Sequence, residues 1–242
     1  MRRYYTKLHG VSDLKSKAGS EIDIPLQSYE HVGRIISAVN FAQSTIQMIV
    51  YHACNDKVQE ARHSLEQIKS SHSRLMFVKN FSNIESDLTV SKVFRYAKEL
   101  FSDVYLFRNV LAHDTWRSSP QYPECILLSS LSEEARLQDA SGELVHLPST
   151  TSERTYNAIT RYIGSVRVVT PSNLHTALVD INLCNWCLMQ IGFIINQKDV
   201  LVKDELRKAF LVFKGVSHLF EESDRIAGVV NWSSSSNHSI DR

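Results

Sequence analysis

Asp87-Leu88-Thr89-Val90-Ser91-Lys92-Val93-Phe94-Arg95-Tyr96-Ala97-Lys98-Glu99-Leu100-Phe101-Ser102-Asp103-Val104-Tyr105-Leu106-Phe107-Arg108-Asn109-Val110-Leu111-Ala112-His113 is the stretch that sets the architecture of this chain. Val90, Val93, Phe94, Ala97, Leu100, Phe101, Val104, Phe107 and Leu111 recur at steps of three and four, which predicts one long amphipathic helix with that stripe in the core. Ser86 or Asp87 is a suitable N-cap, because each offers an oxygen to the unpaired amides of a first turn. The helix is expected to end near His113, and its last turn holds a guanidinium, an amide and an imidazole within six residues: Arg108, Asn109 and His113.

Similar spacing extends to either side. Residues 29–53 carry Val32, Ile35, Ile36, Val39, Ala42, Ile46, Ile49 and Val50 at helical intervals, with Asn55-Asp56 as a stop. A more polar helix is expected over residues 57–79, with Val58, Ala61, Leu65, Ile68, Leu75 and Met76 on one side. After Trp116 the run Arg117-Ser118-Ser119-Pro120 breaks the helical pattern, Cys125-Ile126-Leu127-Leu128 reads as a short strand, and Asp139-Ala140-Ser141-Gly142 reads as a turn before residues 144–147. Helices are expected again over 152–163, over 172–196 behind Thr170-Pro171, and over 203–220. The resulting plan is an N-terminal extension (1–27), a helical core with the motif (28–116), a loop or β-hairpin insertion (117–151), helices that complete or extend the bundle (152–222), and a serine-rich mobile tail (223–242). The fold class expected is all-α, with a small β insertion after the motif helix and additional C-terminal helices.

A chain of 242 residues with 43% hydrophobic and 22% charged residues has enough apolar surface for a sizeable core. Its formal net charge of +1 excludes an overall field that would draw it onto nucleic acid or an anionic membrane, so any phosphate binding must be local. Residues 8–19 lack the apolar centre of a signal peptide, and the four cysteines sit in apolar surroundings, which together suit a cytoplasmic location. The most apolar stretch, residues 174–195, is interrupted by His175, Asp180, Asn182, Asn185 and Gln190, which favours a buried helix over a membrane span.

Arg108 and His113 pose a geometric problem. Five residues turn an unbroken helix by about 500°, which leaves the two side chains roughly 140° apart and about 7.5 Å apart along the axis. They come together only if the helix unwinds near His113 or if a second copy of the chain completes the site, and the motif predicts both a broken helix end and a dimer seam. Their chemistry nevertheless suits RNA cleavage. RNA carries its own nucleophile, the 2′-hydroxyl; an imidazole titrating near neutral pH can move the protons, and an arginine fork can hold phosphate oxygens. Bare spacing is weak support, since Arg2 and Arg3 each stand at comparable spacing to His9. The context at Arg108, with Asn directly after Arg and Ala before His at a helix end, is more specific.

In that context Arg108-Asn109-x-x-x-His113 resembles the HEPN superfamily, whose RNase members carry Arg, then a polar residue that is commonly Asn, Asp or His, and a His at this spacing. The resemblance covers roughly residues 29–116, with the helix after Thr170 a candidate to close the bundle. It implies an α-helical fold and a homodimer whose facing motifs build one composite site. The implied activity is metal-independent endoribonuclease cleavage that leaves 2′,3′-cyclic phosphate and 5′-hydroxyl ends, frequently within toxin–antitoxin, abortive-infection or antiviral defence systems. Arg108, Asn109 and His113 are the catalytic candidates. Lys98, Trp116 and Arg117 are the RNA-binding candidates, the tryptophan by stacking. RNA, a second copy and an antitoxin or defence-system protein are the implied partners, with no cofactor, metal or membrane.

Plainer readings stand beside these. Arg108 and His113 can simply complement the helix dipole, and some HEPN domains bind RNA or partners without cutting. Cys184-Asn185-Trp186-Cys187 has the spacing of half a zinc site or a redox pair, but it has no second pair and lies inside an apolar helix, where packing explains it. His52, His63 and His72 do not form a ligand set on one face.

Overall fold

The computed structural model describes residues 4–8, 24–54, 58–68, 73–74, 77, 87–119, 122–142 and 153–220. In chain order these form β1 (Thr6–Lys7), α1 (Leu26–Cys54), α2 (Val58–Gln67), α3 (Leu88–His113), β2 (Thr115–Ser119), β3 (Tyr122–Ser129), α4 (Leu131–Gly142), α5 (Glu153–Ser165), β4 (Arg167–Val169), α6 (Pro171–Asn196), α7 (Val200–Val212) and a 3₁₀ turn (Ser217–Leu219). The described chain is mainly α-helical, with one small antiparallel sheet.

The helices start where their capping chemistry dictates. The Asp87 carboxylate accepts from the Val90 amide at 3.1 Å and caps α3. Thr170 and Asn173 cap α6 reciprocally: the Asn173 amide donates to Thr170 Oγ1 at 3.1 Å and the Thr170 amide to Asn173 Oδ1 at 3.0 Å, with Pro171 as first helical residue. Asp199 caps α7 through the Leu201 amide at 2.8 Å. Every residue of the stripe expected on α3 is buried.

The chain divides into two compact units. The first comprises Met1–Ser37 and Asp103–Val179 and contains the sheet, whose strand order is β1-β4-β3-β2 with antiparallel neighbours throughout. One face of the sheet carries Leu127 and Val168, which form a core cluster with Leu8, Ile163 and Val166 and with the half-buried Ile159 and Tyr162 of α5. Ile126, Leu128 and Val169 are wholly buried. They alternate with that set along their strands and so belong to the opposite face. In the second unit, Ala38–Ser102 and Asp180–Arg242, the buried side chains include Val93, Phe94 and Ala97 of α3, Ile46 and Ile49 of α1, and Cys184, Leu188 and Ile191 of α6.

Three expectations are corrected. Asp139–Gly142 forms the last turn of α4 rather than a turn between strands. Ser130-Leu131-Ser132-Glu133 is a helix-start signal whose acidic first turn suits the helix dipole, and Gly142 closes the helix. The hairpin β2–β3 is also not a self-contained insertion. It belongs to a four-stranded sheet that recruits Thr6–Lys7 and Arg167–Val169, strands too short to show alternation. Finally, the expected helix over 203–220 begins at Val200 and ends at Val212, followed by the 3₁₀ turn. Most of residues 69–79, the segment 144–147 and the tail from residue 223 lie outside the described residues.

Among the described residues, α6 is the one helix long and apolar enough to cross a membrane, with mean hydropathy 1.6. Its side chains Ile181, Cys184, Cys187, Leu188 and Ile191 are fully buried, and Asn185 donates from Nδ2 to the Ala38 carbonyl at 3.0 Å.

Candidate functional site

The motif lies in the first unit, at the C-terminal end of α3, where the backbone stays regular. α3 is helical through His113, and the Asp114 amide still donates to the Val110 carbonyl at 3.0 Å. The expected broken helix end is therefore not found: the i to i−4 bonding continues past His113, and Arg108 and His113 remain on different sides of one helix. Arg108 is half-buried and His113 exposed. Arg108 Nη1 donates to Asn109 Oδ1 at 3.1 Å, so Asn109 braces the guanidinium directly. Arg108 Nε is buried and has no hydrogen-bond partner.

The chain leaves α3 by turning straight into β2, and the turn is tied down on three sides. Trp116 donates its indole N–H to the Leu111 carbonyl at 2.8 Å, satisfying an acceptor that the helix end leaves open. Its ring stacks on Tyr29 of α1, with centroids 5.5 Å apart and planes at 24°. Asp114 forms an ion pair with Arg167 of β4, and the Tyr5 ring lies against that guanidinium with its centroid 5.3 Å away. Burial pushes the Asp114 carboxyl above its ordinary value, against the pull of Arg167 and His113.

Glu134 of α4 is a second hub. It accepts from Ser129, from Thr115 Oγ1 at 3.2 Å, and from Nε and Nη2 of Arg117 at 3.3 and 3.1 Å. Burial acts to raise its carboxyl, but the bonds from Ser129, Arg117 and Thr115 outweigh it and hold the group below the usual glutamate range.

The six site candidates thus separate. Arg108 and Asn109 touch each other, and His113 stands one turn on. Trp116 uses its N–H in capping and a ring face on Tyr29, and Arg117 is paired with Glu134 while still 54% exposed. Lys98 is half-buried and belongs to the second unit. Sequence reasoning passed over Asp114, Arg167, Tyr5 and Tyr29. Asp114 adjoins His113 and was legible as a neighbour, whereas the other three come from distant segments that only the sheet and α1 bring near.

Cys184 and Cys187 are buried in the second unit, and the Cys184 thiol donates to the Ala97 carbonyl at 3.4 Å. Burial pushes the Cys184 thiol well up and the Cys187 thiol to about 12, so neither is a ready thiolate. Among the described residues no three His, Cys, Asp or Glu side chains gather where they could hold one metal ion.

Comparison with protein-family models, with curated proteins and with solved structures returned no match. The class is therefore set by the fold itself: a mainly α-helical protein with a four-stranded antiparallel sheet.

Proposed function

We propose that this chain is a HEPN-type endoribonuclease that cuts RNA as a homodimer. The carrying observation is an Arg108 braced by Asn109 and an exposed His113 on one unbroken helix end. On a regular helix the two groups stand roughly 140° apart and do not easily meet within one chain, so the proposed site draws on two copies.

In the proposed reaction His113 of one copy takes the proton of the 2′-hydroxyl, and the 2′-oxygen bonds to the adjacent phosphorus. The bond from phosphorus to the 5′-oxygen breaks, and that oxygen takes a proton from the His113 of the second copy. The products are a 2′,3′-cyclic phosphate and a 5′-hydroxyl end. Arg108 offsets the negative charge that builds on the phosphoryl oxygens, and Asn109 holds the guanidinium in place. A role as a toxin or antiviral-defence effector fits this activity, with an antitoxin or defence-system protein as partner and the cytoplasm as the place of action.

The test incubates wild-type and His113→Ala protein with total RNA in chelator and analyses the ends formed. Cleavage by wild type alone, with cyclic-phosphate ends, is expected. Full cutting by folded His113→Ala protein, or loss of wild-type activity in chelator, overturns the proposal.

A second reading, a non-catalytic HEPN-like module that binds RNA or serves as a protein-interaction or sensor unit, is favoured by one observation: Arg108 and His113 stand on different sides of an unbroken helix, so one chain alone does not bring them together. That reading expects binding without cutting.

A further inference from the structure

Between Ser37 and Cys54 of α1, and between Asp180 and Lys198 across α6, the sequence contains no Asp, Glu, Lys or Arg, although 22% of the whole chain is charged. Burial does not account for this, because both spans reach solvent. Phe41 and Met48 of α1 are 50% and 51% exposed, and Met189 and Phe193 of α6 are 39% and 53% exposed. The other exposed positions on these spans are asparagine, serine or histidine. All of them lie in the second unit. The four apolar side chains flank a groove of about 290 Å³, whose lining also includes Ile49 and Gly192. There α1 and α6 come close together: a methyl group on Gly192 would meet Ile49 Cγ1 at 3.4 Å. Gly192 contributes no side chain, so nothing fills the groove at that point.

We propose that this face is the interface for a second copy of the chain, with methionine and phenylalanine side chains of each copy seated in the groove of the other. Three observations select that occupant. A two-fold contact sets one patch against itself, so a patch of one sign repels its own copy, whereas this one carries no permanent charge. The patch also holds projecting side chains and a groove side by side, as self-complementarity requires. Its size fits as well. With a half-exposed phenylalanine or methionine at about 100 Å², the four apolar side chains leave roughly 400 Å² in water. That is about half of the ~800 Å² each partner of a stable complex contributes, and the uncharged polar positions around the four extend it. Depletion of charge with enrichment in Met and Phe is the composition of an interface core. The interface is argued from the second unit alone and does not rest on the ribonuclease reading.

The test is sedimentation of full-length wild type, Phe193→Glu, Ser44→Glu and Leu201→Glu over a concentration series. Wild type is expected to form a dimer. Phe193→Glu removes an apolar anchor and sets like charges into the seam, and should raise the dimer dissociation constant by roughly 30-fold or more. Ser44→Glu adds a charge at an exposed groove position without removing an apolar contact, so it decides the matter should Phe193→Glu fail to fold, and it too should weaken the dimer. Leu201→Glu places the same charge at an exposed apolar position of α7 outside the groove and should leave the dimer intact. A monomeric wild type overturns the interface, as does a dimer that folded Phe193→Glu and Ser44→Glu leave unchanged. A wild type that stays monomeric and floats with phosphatidylcholine vesicles gives the face to a lipid surface and overturns it too. RNA cleavage is scored separately: a monomeric variant that cuts at the wild-type rate supports the interface and removes the two-copy ribonuclease site, whereas a cutting wild-type dimer indifferent to both variants removes the interface alone.

Discussion

At the scale of single residues, Arg108 and Asn109 work as one group. The amide oxygen accepts from one arm of the guanidinium, and in the proposed reaction another arm takes a phosphate oxygen. A lysine keeps the charge but not the fork, so Arg108→Lys should lower cleavage by roughly 100-fold with folding unchanged; near-wild-type rates would show that the fork is not used. Glu134 carries the clearest acid sensitivity. Its folded carboxyl is held below the ordinary range, so its contribution is present above the unfolded value and is lost as pH falls through the folded one. Glu134→Gln protein should therefore lose less stability than wild type between about pH 5 and pH 3, measured by urea midpoints. Parallel loss in the two proteins would contradict the hub.

At the scale of elements, the caps and one close approach bear the most testable load. Asp87 accepts from the Val90 amide and also pairs with Arg207 of α7, at 2.6 Å, so Asp87→Ala removes a cap and an ion pair together. A cost of about 1–3 kcal/mol is expected in chemical denaturation, and a cost near zero would show the α3 cap to be dispensable. Gly215 has no room for a methyl group: an added Cβ would lie 2.6 Å from Phe213 Cε1 and 2.7 Å from Leu183 Cδ1. The Phe213 ring is stacked on Trp186 at 4.0 Å and cannot give way without losing that contact. Gly215→Ala should destabilise by about 1–3 kcal/mol, and an unchanged melting temperature would contradict the packing described.

Elements also show what the sequence makes legible. The α3 stripe from Val90 to Leu111 repeats over several turns, and a signal that long fixes both the element and its buried face. Thr6–Lys7 and Arg167–Val169 pair by register with partners far away in the chain, and two or three residues cannot carry a period. The site divides in the same way. Arg108, Asn109 and His113 are legible because they are near in sequence, whereas Tyr29, Arg167 and Tyr5 reach the end of α3 through tertiary pairing.

At the scale of the whole molecule, the broken helix end that the motif predicts is absent, because α3 stays regular through His113. The proposed use of Arg108 and His113 together then rests on the other expectation, a dimer seam. The most direct measurement mixes wild-type protein with an equal amount of folded, inactive His113→Ala protein under conditions that exchange subunits. In a two-fold dimer whose one composite site uses both His113 side chains, half of a random mixture is mixed dimer and lacks one of them, and a quarter is wild-type dimer. The predicted result is RNA cleavage at roughly half the rate given by the same amount of wild type left unmixed. An undiminished rate with mixed dimers demonstrated would contradict the account.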